Sequence, residues 1–287
     1  MAKETFLTVH KEMPTRGFHA GKKSIIMASI LLAVLASALL VLMLPAFHIK
    51  EIQVEGLSVI GKEELLSTSG IELGDHILSN LGGEIIPMLT FRYGNIEKKL
   101  EYEYPYIQSI VIQIMFPSKI KITVTERMKI GYLEVPDGFA VIDKEGYIVE
   151  MSGNSVPAGV PLMEGLPVRS AMLGEKLDLS DDQGFNSSLT IFGAILGADT
   201  NISDNTGFRL MPCVQSIRYV GNSTTYLMLK LPGSTGNLTV KIGSLKEISD
   251  DMTWLRYAIA TNALVFENGD ISERVLDMTG ENYLMRG

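Results

Sequence analysis

Three patterns of hydrophobic and polar positions follow one another along the chain. Residues 25–44 are an uncharged run of Ile, Leu, Val, Met, Ala and two Ser. From Glu51 to Glu55, and again from Lys119 to Arg127, polar and apolar residues alternate, which is the period of a half-buried strand. From Ser244 to Ala263 apolar residues recur every three or four positions, as on an amphipathic helix. The patterns predict one long apolar helix followed by mixed α and β structure.

The apolar run has the length of a membrane span. At about 1.5 Å per residue its twenty residues would form a helix of roughly 30 Å, the hydrocarbon thickness of a bilayer. Its Ile, Leu and Val residues favour insertion by on the order of −6 kcal/mol. A buried core helix would show a polar face, and a cleaved signal peptide would have a shorter run and a small-x-small exit rather than Leu44-Pro45-Ala46-Phe47. Over these alternatives, the sequence favours an uncleaved transmembrane helix at 24–46, in contact with the lipid bilayer through Ile25 to Leu44.

The charge distribution sets the expected topology. Residues 1–23 carry five Lys or Arg and two Glu, a net charge of +3, whereas the whole chain has −8, which leaves −11 for the remainder. Because cytoplasmic flanks of membrane spans are rich in Lys and Arg, residues 1–23 are predicted to be a cytoplasmic tail. The part after the span is then extracytoplasmic. The sequence predicts a single-pass type II protein of the cell membrane.

Composition also disfavours most catalytic and binding classes. The acidic balance argues against nucleic acid as a partner. The single cysteine, Cys213, and four scattered histidines argue against a disulfide framework or a metal site. The sequence shows no phosphate-binding loop, nucleophile elbow or HExxH motif. We therefore expect no enzyme, no cofactor, no metal and no small-molecule substrate.

Behind the apolar run, the first 80 residues predict the order strand, helix, helix, strand, strand. Gly and Pro separate these segments, and the stretch 72–94 between the two helices is looser and rich in Gly. In the last strand, Ile120, Ile122 and Val124 are expected to face inward. The predicted elements are a strand at 51–55, helices at 61–67 and 95–100, and strands at 107–116 and 119–127.

The residues and their order resemble the FtsQ/DivIB family of bacterial division proteins. The similarity rests on Ile52-x-Val54-x-Gly56 beside the membrane, on the hairpin from Pro117 to Arg127, and on the strand pair Gly138–Val149. The segment from Val160 to Gly165 is similar to a further family landmark. The resemblance implies a POTRA (polypeptide-transport-associated) domain at 47–127, a β domain at 128–287, and a location at the division septum.

The second block, 128–287, is predicted to be an α+β unit in which a long helix packs on a mostly antiparallel sheet. Ser244-Leu245-Lys246-Glu247 matches a capping box at the start of that helix. Another helix is predicted at Asn186–Ala198, and one final strand is expected from about Arg274 toward Met285. The helix predicted at Asn186–Ala198 would have an apolar stripe that consists of Leu189, Phe192, Ile195 and Leu196.

The expected function follows from the final strand. An edge strand can accept a strand from another chain, and the resemblance implies that an FtsB/DivIC-type partner docks there with an FtsL-type protein alongside. Trp254 and Tyr257 on the adjoining helix would supply an aromatic anchor. The alternative is that Trp254 packs in the core and that Met278 and Leu284 are ordinary core residues of the strand. Carried over by position, the partner-binding residues on the strand segment are Met278, Gly280, Tyr283 and Leu284.

The resemblance thus implies a non-catalytic divisome scaffold. Two alternatives remain open at this level. One is a membrane-anchored extracytoplasmic enzyme of envelope metabolism with an unrecognised active site, and the other is a POTRA-bearing secretion or sporulation factor.

Overall fold

The computed structural model describes residues 22–42, 44–200, 207–221, 224–264, 270–271, 274–280 and 282–286. The first helix, α1, covers Lys22–Leu42, and every side chain described on it is exposed. Among the described residues, no helix combines the length and the hydropathy that a membrane span requires. The predicted span at 24–46 is therefore not confirmed, and residues 1–21 of the predicted tail lie outside the described residues.

A three-stranded sheet and three helices form the first folded unit. The sheet order is β1-β3-β2, in which β1 runs parallel and β2 antiparallel to the central β3. The structure confirms the predicted order of elements and adds α3, which lies in the stretch predicted to be loose. The elements are β1 (Glu51–Glu55), α2 (Lys62–Ser69), α3 (Ile85–Leu89), α4 (Gly94–Glu103), β2 (Ile107–Met115) and β3 (Lys119–Glu126).

The alternating pattern of β3 places its apolar side chains in the core of this unit. Ile120, Ile122 and Val124 are buried as predicted, and they share one cluster with Leu65 of α2 and Leu100 of α4. Burying each of these Ile or Leu side chains contributes about 1.5–3 kcal/mol. Removing one would therefore cost a large fraction of the stability of a unit of this size.

The chain leaves β1 through a glycine that no other residue can replace without strain. Gly56 has a φ of 89°, and a Cβ at this position would overlap the carbonyl oxygen of Val124 on β3. Both the positive φ and the close approach of the two backbones favour glycine. The loop that follows is held by Glu126, whose carboxylate accepts the backbone N–H groups of Ser58, Val59 and Ile60 at 2.8–2.9 Å.

A nine-stranded sheet dominates the second folded unit. Its order is β14-β13-β12-β11-β10-β7-β4-β5-β6, and five of its eight described pairings are antiparallel, as predicted. Strands β8 and β9 form a separate pair. The elements are β4 (Lys129–Val135), β5 (Gly138–Asp143), β6 (Ile148–Met151), β7 (Leu162–Glu164), β8 (Val168–Ser170), β9 (Asp178–Leu179), α5 (Gln183–Thr200), β10 (Val214–Gly221), β11 (Thr224–Leu229), β12 (Leu238–Ile242), α6 (Ile248–Ala260), β13 (Val275–Met278) and β14 (Leu284–Arg286).

Helices α5 and α6 pack against each other and share one core with the sheet. Ile195 of α5, Met252 and Leu255 of α6 and Val240 of β12 are almost completely buried in it. The predicted stripe of α5 is partly wrong, because Leu196 is exposed and the buried face of the helix also includes Ser188, Ile191, Ala194 and Ala198. The inward face of α5 therefore contains more small side chains than the predicted stripe.

Two predictions for the C-terminal region are corrected by the structure. Helix α6 begins at Ile248 with Glu247 as its N-cap and has no side-chain capping bond, so the predicted capping box is wrong. The hydroxyl of Ser244 accepts the N–H of Lys246 at 3.3 Å, outside the helix. The single final strand is also wrong, since the chain forms the antiparallel hairpin β13–β14 with a turn between the strands.

The two folded units are joined by a salt bridge with little exposure to solvent. Arg127 Nη1, directly after β3, lies 2.7 Å from Asp143 Oδ2 at the end of β5, and both side chains are largely buried. The guanidinium lies 3.8 Å from the centre of the Tyr147 ring. On the same side, Tyr106 donates a hydrogen bond to Glu150 at 2.9 Å. Burial, followed by the hydrogen bond to Glu150, raises the pKa of Tyr106 to about 12.

Candidate functional site

Strand β14 is the open end of the large sheet. At the opposite end, the first residue of β6 is already bonded on its outer side, because the N–H of Ile148 donates to Glu175 and its carbonyl accepts the N–H of Gly174, both at 2.9 Å. Beyond β14 the described part of the chain supplies no further strand. A strand of this kind displays backbone groups that can pair with a strand of another chain.

The three side chains of β14 are exposed and lie on two faces. Met285 is opposite Leu276, a core residue of β13, and so points to the side of the sheet that carries α6. Leu284 is opposite Asp277 and shares the other face with Arg286. The edge therefore offers an apolar side chain on each face, with a guanidinium at its end.

An aromatic pair connects this edge to α6. The ring of Tyr283 lies 4.5 Å from that of Trp254 at an interplanar angle of 60°, and its hydroxyl donates a hydrogen bond to Asp251 Oδ1 at 2.6 Å. Burial, followed by the hydrogen bond to Asp251, raises the pKa of Tyr283 to about 12. Tyr257 follows Trp254 by three positions and is therefore on the same side of α6, more than half exposed. The pair fixes the start of β14 against the helix.

A buried carboxylate holds the β13–β14 hairpin from the other face. Asp277 Oδ1 accepts the hydroxyl and the backbone N–H of Thr279, at 2.7 and 3.1 Å. Its Oδ2 lies 3.1 Å from Arg286 Nη2 and 3.8 Å from Lys241 Nζ. The hydrogen bond from the Thr279 hydroxyl, with the two cations in support, lowers the pKa of Asp277. The hairpin is thus clamped at both faces while its outer edge stays open.

The structure brings two of the six predicted partner-binding residues into contact, Trp254 and Tyr283, where α6 meets β14. Tyr257 lies on the same side of α6 as Trp254, and Leu284 lies on β14 with its side chain on the face away from α6. All four are at least partly exposed. Gly280 is exposed in the turn of the hairpin.

Met278 is different from the other five. It lies in β13, which is bonded to strands on both sides, and its side chain is buried in the core. The placement of Met278 on an edge strand is therefore wrong, because the predicted single strand is two strands.

Sequence reasoning missed the polar residues that hold the edge. The sequence pattern assigns no role to Asp251, which is adjacent to Asp250, or to Asp277. Each becomes significant only because β14 folds back beside them, at a sequence distance of 32 residues for Tyr283 and Asp251. The pattern Asp277-x-Thr279 was the available signal, since a Thr two positions after an Asp often bonds the carboxylate.

Comparison with known proteins places the first folded unit in a family. The family described as "POTRA domain, FtsQ-type" matches residues 47–127. The cell division protein DivIB of Clostridium acetobutylicum is 26% identical over 140 residues, which is 48% of this chain and 51% of that protein. Residues 47–127 thus match a POTRA domain of the FtsQ type, and the chain is similar to DivIB and FtsQ cell division proteins. The resemblance predicted from the sequence is thereby confirmed.

Other DivIB and FtsQ proteins are similar to the chain to the same degree. DivIB of Clostridium botulinum (strain Loch Maree / Type A3) is 26% identical over 175 residues, covering 61% of this chain and 62% of that protein. The cell division protein FtsQ of Streptomyces griseus is 25% identical over 126 residues, covering 44% of this chain and 55% of that protein. The chain spans about half to three fifths of the length of these relatives.

The described residues provide little support for a metal site or a reactive thiol. No three His, Cys, Asp or Glu side chains of that part of the chain are grouped so as to hold a metal ion. Cys213 is buried, and burial, with a smaller contribution from Asp199, raises the pKa of its thiol. The sheet edge is the feature with the clearest capacity for interaction.

Proposed function

We propose that this protein is a non-catalytic scaffold of the bacterial division machinery, which recruits membrane-anchored division proteins to the septum. The relatives that it matches are named cell division proteins DivIB and FtsQ. The observation that carries the proposal is the exposed terminal strand β14 beside the Trp254–Tyr283 pair. The partners are of the FtsB/DivIC type at the edge and of the FtsL type alongside.

Docking occurs by addition of a partner strand to β14. Each new backbone hydrogen bond contributes about 0.5–1.5 kcal/mol net, and a strand of three residues offers only a few such bonds. Most of the affinity must therefore come from side chains, chiefly the exposed Leu284 and the aromatic surface of Trp254 and Tyr257, the residue types that dominate interface energetics. Because Tyr283 and Asp277 already hold the hairpin in place, little ordering cost opposes binding.

Confinement to a membrane makes such a modest contact sufficient. We place the apolar run Ile25–Leu44 in the bilayer, with residues 1–23 in the cytoplasm, as a single-pass anchor. This placement is supported by the uncharged sequence and by the exposure of the apolar side chains described on α1, which no described part of the chain covers. Two proteins held in one membrane plane meet at a raised effective concentration, so weak contacts can assemble them.

Paired lysine substitutions test the proposal. Leu284 of β14 and Leu196 of α5 are both 52% exposed, so neither replacement should affect folding, but only Leu284 lies on the proposed edge. The full-length chain would be co-expressed with the FtsB/DivIC-type and FtsL-type proteins of the same organism and purified in detergent. Leu284→Lys should lower partner recovery at least tenfold, whereas Leu196→Lys should not. Equal recovery with both variants would reject docking at β14.

A further inference from the structure

A second exposed surface lies on the first folded unit, far along the chain from β14. Helix α3 and the residues after it turn a set of large apolar side chains toward solvent, and the ring of Phe116 at the end of β2 continues the set. Each is 46% to 72% exposed, and none carries a charge. We call this the apolar patch: Ile85, Ile86, Met88, Leu89, Phe91 and Phe116.

The segment that presents the patch is fixed to the sheet by its polar atoms. Phe91 accepts the backbone N–H of Ile114 at 2.9 Å, and Tyr93 donates its own to Ile112 at 3.0 Å. Arg92 makes two bonds to the carboxylate of Glu97, at 2.7 and 2.9 Å, and that carboxylate is almost fully buried. The apolar side chains therefore remain outside because their backbone is bonded on the other side.

Phe91 gives independent evidence that this arrangement is held against a local cost. Its φ is 54°, in the left-handed region that is unfavourable for a residue other than glycine. Such a conformation persists where the surroundings determine it, and it is concentrated at functional positions. In this conformation its ring contacts Phe116 edge-on with centroids 5.2 Å apart.

The patch is continuous with the end of the apolar run. Phe116 also contacts Phe47, with centroids 6.4 Å apart, and Phe47 is three residues after Leu44, the last residue of that run. Three residues span at most about 10 Å. If Leu44 is at the hydrocarbon boundary, Phe47 and the rings packed on it must lie at the depth of the lipid headgroups.

We propose that the apolar patch inserts into the outer leaflet of the lipid bilayer and holds the first folded unit against the membrane. The inference rests on the proposed anchor. Apolar and aromatic side chains are favourable at the boundary between headgroups and acyl chains. Because the patch is uncharged and the chain outside residues 1–23 is acidic, attraction to anionic headgroups is not required, and zwitterionic lipid suffices.

The inference can be tested with a polarity-sensitive dye on single cysteines in the full-length chain. Leu89→Cys probes the patch, and Ile86→Cys repeats the measurement there. Tyr102→Cys is the control, because it is 90% exposed but lies eight residues beyond the start of α4, about 12 Å along the helix axis. The chain without an added cysteine controls for labelling of the buried Cys213.

The labelled proteins would be reconstituted into phosphatidylcholine vesicles that contain a headgroup-linked quencher. We expect the dye at positions 86 and 89 to be blue-shifted and quenched at least threefold more than the dye at position 102. Equal quenching at all three positions, or protection of position 89 by a protein partner and not by lipid, would overturn the inference.

Vesicle flotation separates this result from failure of the anchor. If the chain floats with the vesicles but shows no selective quenching, the anchor is supported and insertion of the apolar patch is rejected. A chain that does not float contradicts the anchor and the inference that rests on it.

Discussion

The salt bridge between Arg127 and Asp143 provides a quantitative test of how the two folded units depend on each other. Arg127→Ala removes a contact of 2.7 Å between two largely buried side chains and the cation over the Tyr147 ring. Breaking a buried ion pair by removing one partner costs about 3–5 kcal/mol, because the remaining charge stays buried. Asp143 Oδ1 still accepts the N–H groups of Glu145 and Tyr147, at 2.9 and 2.8 Å. We therefore expect the lower end of that range, about 3 kcal/mol.

Urea unfolding followed by fluorescence measures this cost. The single tryptophan, Trp254, lies in the second unit, so its signal reports whether a residue outside that unit stabilises it. Arg169→Ala is the matched control, because its contact to Asp178 is 3.9 Å long and both side chains are more than half exposed. Pairs of this kind contribute about 0–1 kcal/mol. If the two alanine variants shift the free energy of unfolding equally, the salt bridge between Arg127 and Asp143 does not couple the stability of the two units.

Two further predictions concern local strain and ionisation. Gly56→Ala should destabilise the first unit by more than about 2 kcal/mol, since the new Cβ meets the Val124 carbonyl at positive φ. Gly70→Ala, also at positive φ but in open space, should cost only about 1 kcal/mol; equal costs in urea unfolding followed by circular dichroism would contradict the reasoning. The pKa of Tyr283 in the folded protein is about 12, above the ~10 of an unfolded tyrosine, so its contribution to stability is complete below about pH 10 and is lost as the pH rises to about 12. In an ultraviolet titration, Asp251→Asn should lower this pKa part of the way toward 10, because burial remains; an unchanged value would remove Asp251 as a cause.

The sequence predicted a helix or strand correctly where a regular apolar pattern marks the one face that the element buries. The alternating pattern along β3 predicts that Ile120 and Ile122 are buried, as they are. The spacing of apolar residues along α6 likewise matches the burial of Met252 and Leu255. Helix α3 was missed because its apolar run surrounds Pro87 and shows neither period. Its exposed face contradicts the rule that large apolar residues lie inside, which is a rule about averages.

The candidate site was less accessible because it depends on how distant segments meet. The sequence of residues 274–285 predicts one strand, whereas the chain turns at Gly280 and forms two strands. Met278 was therefore predicted on the edge strand, although it lies in the core. The hydrogen bond from Tyr283 to Asp251 connects the hairpin to a helix residue 32 positions earlier in the sequence. A local sequence pattern cannot predict such a contact. The aromatic residues themselves were predictable, since Trp and Tyr are enriched in interfaces.

Hydrogen–deuterium exchange at β14 tests the central claim most directly. The full-length chain would be compared alone and saturated with its FtsB/DivIC-type partner, and exchange of the amides of 284–286 would be followed by mass spectrometry. If the partner adds a strand to this edge, the outward-facing amides among 284–286, which do not bond to β13, should slow by at least tenfold, while the amides of β6 should not change. A partner that binds tightly and leaves exchange at 284–286 unaltered would contradict docking at the sheet edge.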